Sequence, residues 1–216
     1  MTDQCSAHAT REQAFQSDLA PISTILFVPT SHQGGSSAKT SDVGTTIPAE
    51  SNIPKDKHWT DVPAPGSIAL LQQPSGHISA VLGDIVATRF KIRGVAGAIV
   101  DGRMRDVAGC GELCADGKFA VWSKGVSTVG TTPEGKPWAV DIPLRVRGVD
   151  VRPGDFAVLD EAERGIVVIP REKLVEVAEL LPGLKEADEA VLRDVKAGAG
   201  LKEAFQRHRG HYIHRT

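Results

Sequence analysis

Two short apolar runs, SIALLQQP at residues 67–74 and GAIVDG at residues 97–102, bracket a segment that both begins and ends in glycine, GDIVATRFKIRG at residues 83–94. Apolar runs that short, without alternation, are what buried strands look like. Gly83 before the intervening segment and Gly94 after it are the punctuation of a short helix. Strand, turn, helix and strand within about 35 residues predict a βαβ-like unit, with the charged stretch GRMRDV forming a loop at the carboxyl end of its second strand.

The flanking sequence is read in the same way. STILFVP at residues 23–29 predicts a strand, and residues 1–20 before it are weakly helical in pattern. Residues 31–57 are dominated by Ser, Thr, Gly, Pro and charge. They carry too few apolar groups to repay ordering, which predicts a long, partly disordered loop. Further strands are expected in FAVWS (119–123), at 126–129, at 138–142 and along the alternating LRVRGVDV (144–151). FAVLD and GIVVIP, after a Pro-Gly-Asp turn, read as a hairpin. The chain closes with three helical stretches, starting at Arg171, Lys185 and Leu201. The expected organisation is a variable segment with a polar loop over 1–57, an α/β core over 58–170, and helices with a basic tail over 171–216.

Composition narrows the function. Twenty-five Lys and Arg against 27 Asp and Glu leave a formal charge of −2, so no basic field exists to neutralise a nucleic-acid backbone. No stretch approaches the ~20 apolar residues of a membrane span. The polar N-terminus lacks the pattern of a secretory signal, and three cysteines, Cys5, Cys110 and Cys114, are too few for a disulfide framework. A cytoplasmic protein is expected.

Three motifs carry less than their spacing suggests. GTTPEGK at residues 130–136 has phosphate-loop spacing, but Pro137 stands where Ser or Thr would bind magnesium and would break the helix that such a loop opens. Cys110 and Cys114 have neither a second pair nor a nearby histidine to complete a zinc site. His208, His211 and His214 sit in an Arg/His-rich tail and read as solvated.

The informative constellation is GDIVA (83–87) with DGRMRD (101–106). Gly83 precedes a helix whose first amides, those of Ile85 and Val86, are unpaired and can receive a carboxylate. Arg105 can grip a carboxylate bidentately, and Asp106 can offer oxygen to a hard divalent cation. An ordinary solvated ion-pair loop is the alternative on spacing alone.

The run GDIVATRFKIRGVAGAIVDGRMRDV, with DGxxRD as its most specific part, resembles the family that joins class II 4-hydroxy-4-methyl-2-oxoglutarate aldolases to the regulator of ribonuclease activity A. The similarity extends from about residue 57 to 210 through PGSIALL, STVGT, VRPGDFAVLDE and GIVVIP. The resemblance implies an α/β fold, an α/β/β sandwich of the swivelling, phosphohistidine-domain-like type with C-terminal helices, assembled as a homotrimer or a hexamer of two trimers. It implies a lyase using Mg²⁺ or Mn²⁺ to cleave 4-hydroxy-4-methyl-2-oxoglutarate-type 2-oxoacids or to decarboxylate oxaloacetate through a pyruvate enolate. Asp106 matches the metal ligand, Arg105 the substrate-binding arginine, Asp84 a carboxylate that orients water on the metal, and Gly83, Ile85 and Val86 the turn and amides that hold the substrate carboxylate.

Family aldolases also take a glutamate from the C-terminal helices of a neighbouring subunit. Glu189 is the best match here, with Glu186 close by, and His58 could reach a substrate oxygen if the preceding loop folds over the site. The first 30 residues correspond poorly to the family pattern. A different aldol or cyclisation chemistry on the same scaffold, or a non-catalytic regulator that binds protein, are the other readings, and the joint presence of Asp84, Arg105 and Asp106 favours the enzyme.

Overall fold

A computed structural model describes residues 19–39 and 44–210, and the chain divides into two compact units, Met1–Pro170 and Arg171–Thr216. In the first unit the strands are β1 (Leu19–Pro29), β2 (Ala38–Lys39), β3 (Thr46–Ile47), β4 (Ile68–Gln72), β5 (Gly97–Met104), β6 (Ala120–Val126), β7 (Gly135–Val140), β8 (Leu144–Val146), β9 (Val149–Val151), β10 (Phe156–Asp160) and β11 (Gly165–Ile169). Its helices are α1 (Asp84–Ile92) and α2 (Val107–Cys114), and the second unit holds α3 (Leu174–Lys196) and α4 (Leu201–Arg209).

The main sheet runs β11-β10-β1-β4-β5-β6, with β7 also paired to β1. β1, β4, β5 and β6 are mutually parallel, and β10 and β7 run antiparallel to the two ends of β1. Parallel strands need a crossover. Helix α1 supplies it between β4 and β5, so the βαβ expectation holds.

Side chains alternate across the sheet and bury both faces. Ile25, Phe27, Ala69, Leu71, Ala98 and Val100 join Ala87 and Phe90 of α1 and Cys110 of α2 in one cluster. Leu26, Val28, Ile68, Leu70 and Ile99 join Leu144, Val151, Ala157 and Leu159 of the antiparallel strands in another. The result is a mixed α/β arrangement, with helices against one face of the sheet and strands against the other.

Several expectations are corrected. The first strand begins at Leu19, so Leu19 and Ala20 are extended and not helical, while residues 1–18 lie outside the described range. Strand β5 continues through Met104, because Arg103 and Met104 find partners in Gln73, Val81 and β6, so the first half of the expected GRMRDV loop is strand. The segment after it is helix α2, unexpected because its two glycines, Gly109 and Gly111, weaken helix propensity. Residues 127–129 form no strand beyond the end of β6.

LRVRGVDV folds back as the β8–β9 hairpin. Arg147 (φ 48°) and Gly148 (φ 84°) supply the two positive φ values of a type I′-like turn, and the side-chain alternation of the run masked that reversal. The two helical stretches expected from Arg171 and Lys185 are joined in α3, a 23-residue helix that carries Pro182 in its interior. In the 31–57 loop, Ile47 and Thr45 are buried, and Asn52 exchanges two 2.8 Å bonds with the Val140 backbone. Hydrogen bonding to β7 holds these described residues where apolar burial is scarce.

Within the second unit, Gly198 (φ 95°) ends α3 with left-handed geometry, and Asp194 accepts from both Arg207 and His208 of α4. The bond from His208, above all, holds the Asp194 carboxyl below its usual range.

Residues 78–82 reach the carboxyl end of β5 as a short extended strip. Glu134 accepts from the amides of Ser79 (2.7 Å) and Ile78 (2.8 Å), and the Ser79 amide chiefly keeps its carboxyl below the ordinary glutamate range. A depressed folded value means stability that is present above the unfolded value and lost as pH falls through the folded one. The stability difference between the native protein and Glu134→Gln should therefore be constant near neutrality and shrink below about pH 4.3 in denaturant melts. Phe90 is fully buried, 5.9 Å from the Trp59 ring centroid in an edge-on pair. Phe90→Ala should cost about 3–5 kcal/mol and lower the Tm measured by circular dichroism.

Candidate active site

The carboxyl end of β5 and the strip 78–82 are joined as parallel chains. Val81 N donates to Arg103 O (3.0 Å), Arg105 N donates to Leu82 O (2.9 Å), and Leu82 bridges Met104. Each chain then enters a helix, the strip into α1 after Gly83 and β5 into α2 after Asp106. This pairing sets two helix N-termini side by side. Each end exposes first-turn amides and the positive end of its dipole.

Gly83 has extended backbone angles open to any residue (φ −136°, ψ −178°), so its requirement is for space. A Cβ there would lie 2.6 Å from Asp106 Oδ2 and 3.1 Å from Arg105 Nε. Gly109 plays the same part in α2, where a Cβ would stand 3.0 Å from both Cβ and Oδ2 of Asp84. Gly130 leaves room for Arg105, whose Nη1 would be 2.9 Å from an added Cβ. Three glycines thus let Asp84, Arg105 and Asp106 approach backbone closely.

Asp106 is left-handed (φ 55°, ψ 47°), a conformation that costs a non-glycine residue of order 1 kcal/mol. Its side chain does not cap α2. Instead Oδ2 sits 3.3 Å from Arg105 Nε, with both side chains about two-fifths exposed. The first intrahelical bond of α1 is Ala87 N to Gly83 O, which leaves the amides of Asp84, Ile85 and Val86 ahead of the ladder. All six residues expected at the site in this unit line one recess of about 310 Å³: Gly83, Asp84, Ile85, Val86, Arg105 and Asp106. Thr131, which bonds Ala80 O, completes its wall.

The donor set suits a hard cation that retains most of its water. No group of three His, Cys, Asp or Glu side chains poised for a metal exists among the described residues. A cation here would draw on Asp106, with Asp84 at hand, and on oxygens from substrate and water. That sparse oxygen environment fits Mg²⁺ or Mn²⁺ and not Zn²⁺.

Other expected residues fall elsewhere. Glu189 and Glu186 are exposed on α3 in the second unit. His58 caps the short helix Trp59–Asp61, where its Nδ1 accepts from Thr60 N, and it is not among the lining residues. Gly130 to Gly135 turns into strand β7, so the phosphate-loop spacing opens no helix. Cys110 is buried in α2, His208 is bonded to Asp194, and Cys5, His211 and His214 lie outside the described residues. Sequence reasoning missed Thr131, Gly109 and Gly130. Their only signal was small size, which becomes informative once the Asp84 and Arg105 side chains are seen against them.

Residues 12–168 match the RraA-like family model, described as Aldolase/RraA. A Methanocaldococcus jannaschii protein described as uncharacterized is 32% identical over 59% of this chain and 58% of its own length. A Halalkalibacterium halodurans protein named "Putative 4-hydroxy-4-methyl-2-oxoglutarate aldolase" is 28% identical over 61% and 60%. The chain thus spans about three-fifths of the length of these curated relatives. Streptomyces coelicolor RraAS2, titled an unusual member of the RNase ES inhibitor RraA protein family, superposes with TM-score 0.60 at 27% identity over 80% of this chain and 75% of its own. An uncharacterized Pseudomonas syringae protein superposes with TM-score 0.62 at 20% identity, over 89% and 80% of the two chains, a likeness of fold. With its family model matched over most of the first unit, its fold shared with RraAS2 and its DGxxRD run placed at a two-helix recess, the chain belongs to the RraA-like family.

Proposed function

We propose that the protein is a divalent-cation-dependent carbon–carbon lyase. Its substrates are 2-oxoacids, cleaved either by retro-aldol reaction of the 4-hydroxy-4-methyl-2-oxoglutarate type or by decarboxylation of oxaloacetate. The observation that carries this reading is the convergence of Asp84, Arg105 and Asp106 on the N-terminus of α1, with Asp106 left unengaged by its own helix. The aldolase name borne by the Halalkalibacterium halodurans relative supports it.

Each residue has a part in that chemistry. The Arg105 guanidinium and the amides of Ile85 and Val86 form a cradle for the substrate's C1 carboxylate, which orients the adjacent ketone. Asp106, with Mg²⁺ or Mn²⁺, would complete the site, where the cation supplies Lewis acidity to charge developing on the 2-oxo oxygen. Asp84 stands at the same mouth, where it would orient the water that takes up the proton from the 4-hydroxyl. Breakage of the C3–C4 bond then passes its electron pair toward the ketone, and protonation at C3 completes one pyruvate. In oxaloacetate the same bond breaks with loss of CO₂, and no hydroxyl proton need be removed. Glu189 of a neighbouring copy is assigned to proton relay, in a homotrimer or a hexamer of two trimers. Ile85, 77% exposed beside the recess, suits a surface that a neighbouring copy covers. The protein has no helix among the described residues long and apolar enough to cross a membrane, and a cytoplasmic setting accords with its sparse cysteines.

The RraAS2 likeness favours a second reading, a regulator that acts by contact with protein and needs no cation. Pyruvate release separates the two. Oxaloacetate and 4-hydroxy-4-methyl-2-oxoglutarate are each incubated with the protein and Mg²⁺ or with EDTA. Metal-dependent pyruvate from either is expected, and none from both would favour the regulator. Asp106→Asn should lower kcat at least ~10²–10³-fold, and Arg105→Lys, which loses the bidentate fork, should lower kcat/KM ~10–100-fold, chiefly through KM. Light scattering should give a mass three or six times 22.9 kDa, and a monomer would remove the role of Glu189.

A further inference from the structure

We infer that a second recess, distinct from the one lined by Asp106, is a binding site for the carboxylate of a small organic acid. It lies at the carboxyl ends of β4, β5 and β6, opens to solvent and spans about 620 Å³, more than the first. Gln73 and His77 line one side, Asp101 and Arg103 another, and Lys124 a third.

The floor is built of buried polar groups. Asp101 is 93% buried, and its Oδ2 accepts from Gln72 Nε2 (3.1 Å) while its Oδ1 meets the Lys124 ammonium. Gln72 Oε1 in turn accepts from Thr45 Oγ1 (2.6 Å), and Gln72 Nε2 also donates to Arg145 O (2.8 Å). Beside this network Gln73 donates to Ser79 O (2.6 Å) and accepts from Arg103 N (2.9 Å). Gly102 leaves Gln73 its place, since a Cβ there would lie 2.6 Å from Gln73 Cβ. A buried ion pair is a poor way to stabilise a fold, because desolvation offsets its attraction. Here the pair opens on a recess, with Lys124 held at a fixed place and two-fifths exposed.

The charge and the unmet bonding capacity then define the ligand. Lys124 and Arg103 bring two positive charges against the one of Asp101, a net of one. Arg103 Nη1 donates to Val126 O (3.0 Å), and among the described residues the guanidinium has no carboxylate partner. Glu134, whose charge acts on His77, is engaged by the Ile78 and Ser79 amides and does not line the recess. One surplus positive charge balances a singly charged carboxylate and leaves a doubly charged phosphate unneutralised, and the Arg103 fork offers that carboxylate two parallel donors. The remaining volume admits a short carbon body.

Amide NMR of the full-length protein titrated with acetate, and separately with inorganic phosphate, tests this. Saturable acetate shifts are expected at Gly76, Gly102 and Gly125, retained in Asp106→Asn and weakened at least tenfold in Arg103→Gln. Lys124→Gln should also weaken them, but Arg103→Gln leaves the buried pair intact and is the decisive variant. Shifts that stay linear and unsaturated, that survive Arg103→Gln, or that phosphate produces at lower concentration than acetate would overturn the assignment. Because Asp106→Asn removes the proposed lyase site alone, loss of lyase activity and loss of this second site are read separately.

Discussion

The pairing of Leu82 with Met104 and Arg105 is the contact on which the candidate site depends. Alone, the β4–α1–β5 unit places a helix start and a strand end in the same region without fixing their distance. The Arg105 N to Leu82 O bond and the Val81 N to Arg103 O bond lock the chain entering α1 against the chain entering α2. Both helix starts then face one recess, and the glycines at 83, 109 and 130 let charged side chains occupy the narrow space between backbones. The left-handed turn at Asp106 belongs to the same device. It reverses the chain directly after Arg105, so consecutive side chains can act on one ligand.

Glu134, remote in sequence from both helices, supports that pairing from behind. By accepting two amides of the strip at its start, it fixes the strand that Arg105 leans on, and Thr131 of the same turn bonds the strip at Ala80. The loop 130–135 has phosphate-loop spacing in the sequence, yet its work here is to brace the strip with a carboxylate and a hydroxyl. Gln73 braces it from the other side, through Ser79 O and Arg103 N. The strip carries few apolar contacts to the interior beyond Val81 and Leu82, and these polar braces supply its order.

Much of the fold and of the site was legible in the sequence because it rests on local signals. The unalternating runs at β4 and β5, the glycines around α1 and the hairpin of β10 and β11 each reflect burial or turn chemistry within a few residues. Gly83, Asp84, Arg105 and Asp106 stood out for a different reason, since GDIVA and the Arg-Asp end of DGxxRD carry the family resemblance, and all four line one recess. What stayed hidden required long-range pairing. The extension of β5 through Gly102 needs Gln73 and β6 as partners, α2 forms despite two glycines because Cys110 reaches the core, and the Leu144–Val151 reversal depends on two positive φ values within an unbroken alternation. The second recess was invisible because Asp101 and Lys124 meet only when β5 and β6 are paired.

In the proposed mechanism, the recess at Asp106 stabilises negative charge next to a 2-oxoacid carboxylate. Enolisation of pyruvate itself tests it, whatever the physiological substrate. Proton NMR in D₂O with Mg²⁺ should show exchange of the pyruvate methyl hydrogens for deuterium, catalysed by the native protein, suppressed by EDTA and lost in Asp106→Asn. Exchange no faster than in buffer, or equally fast in Asp106→Asn, would contradict the account.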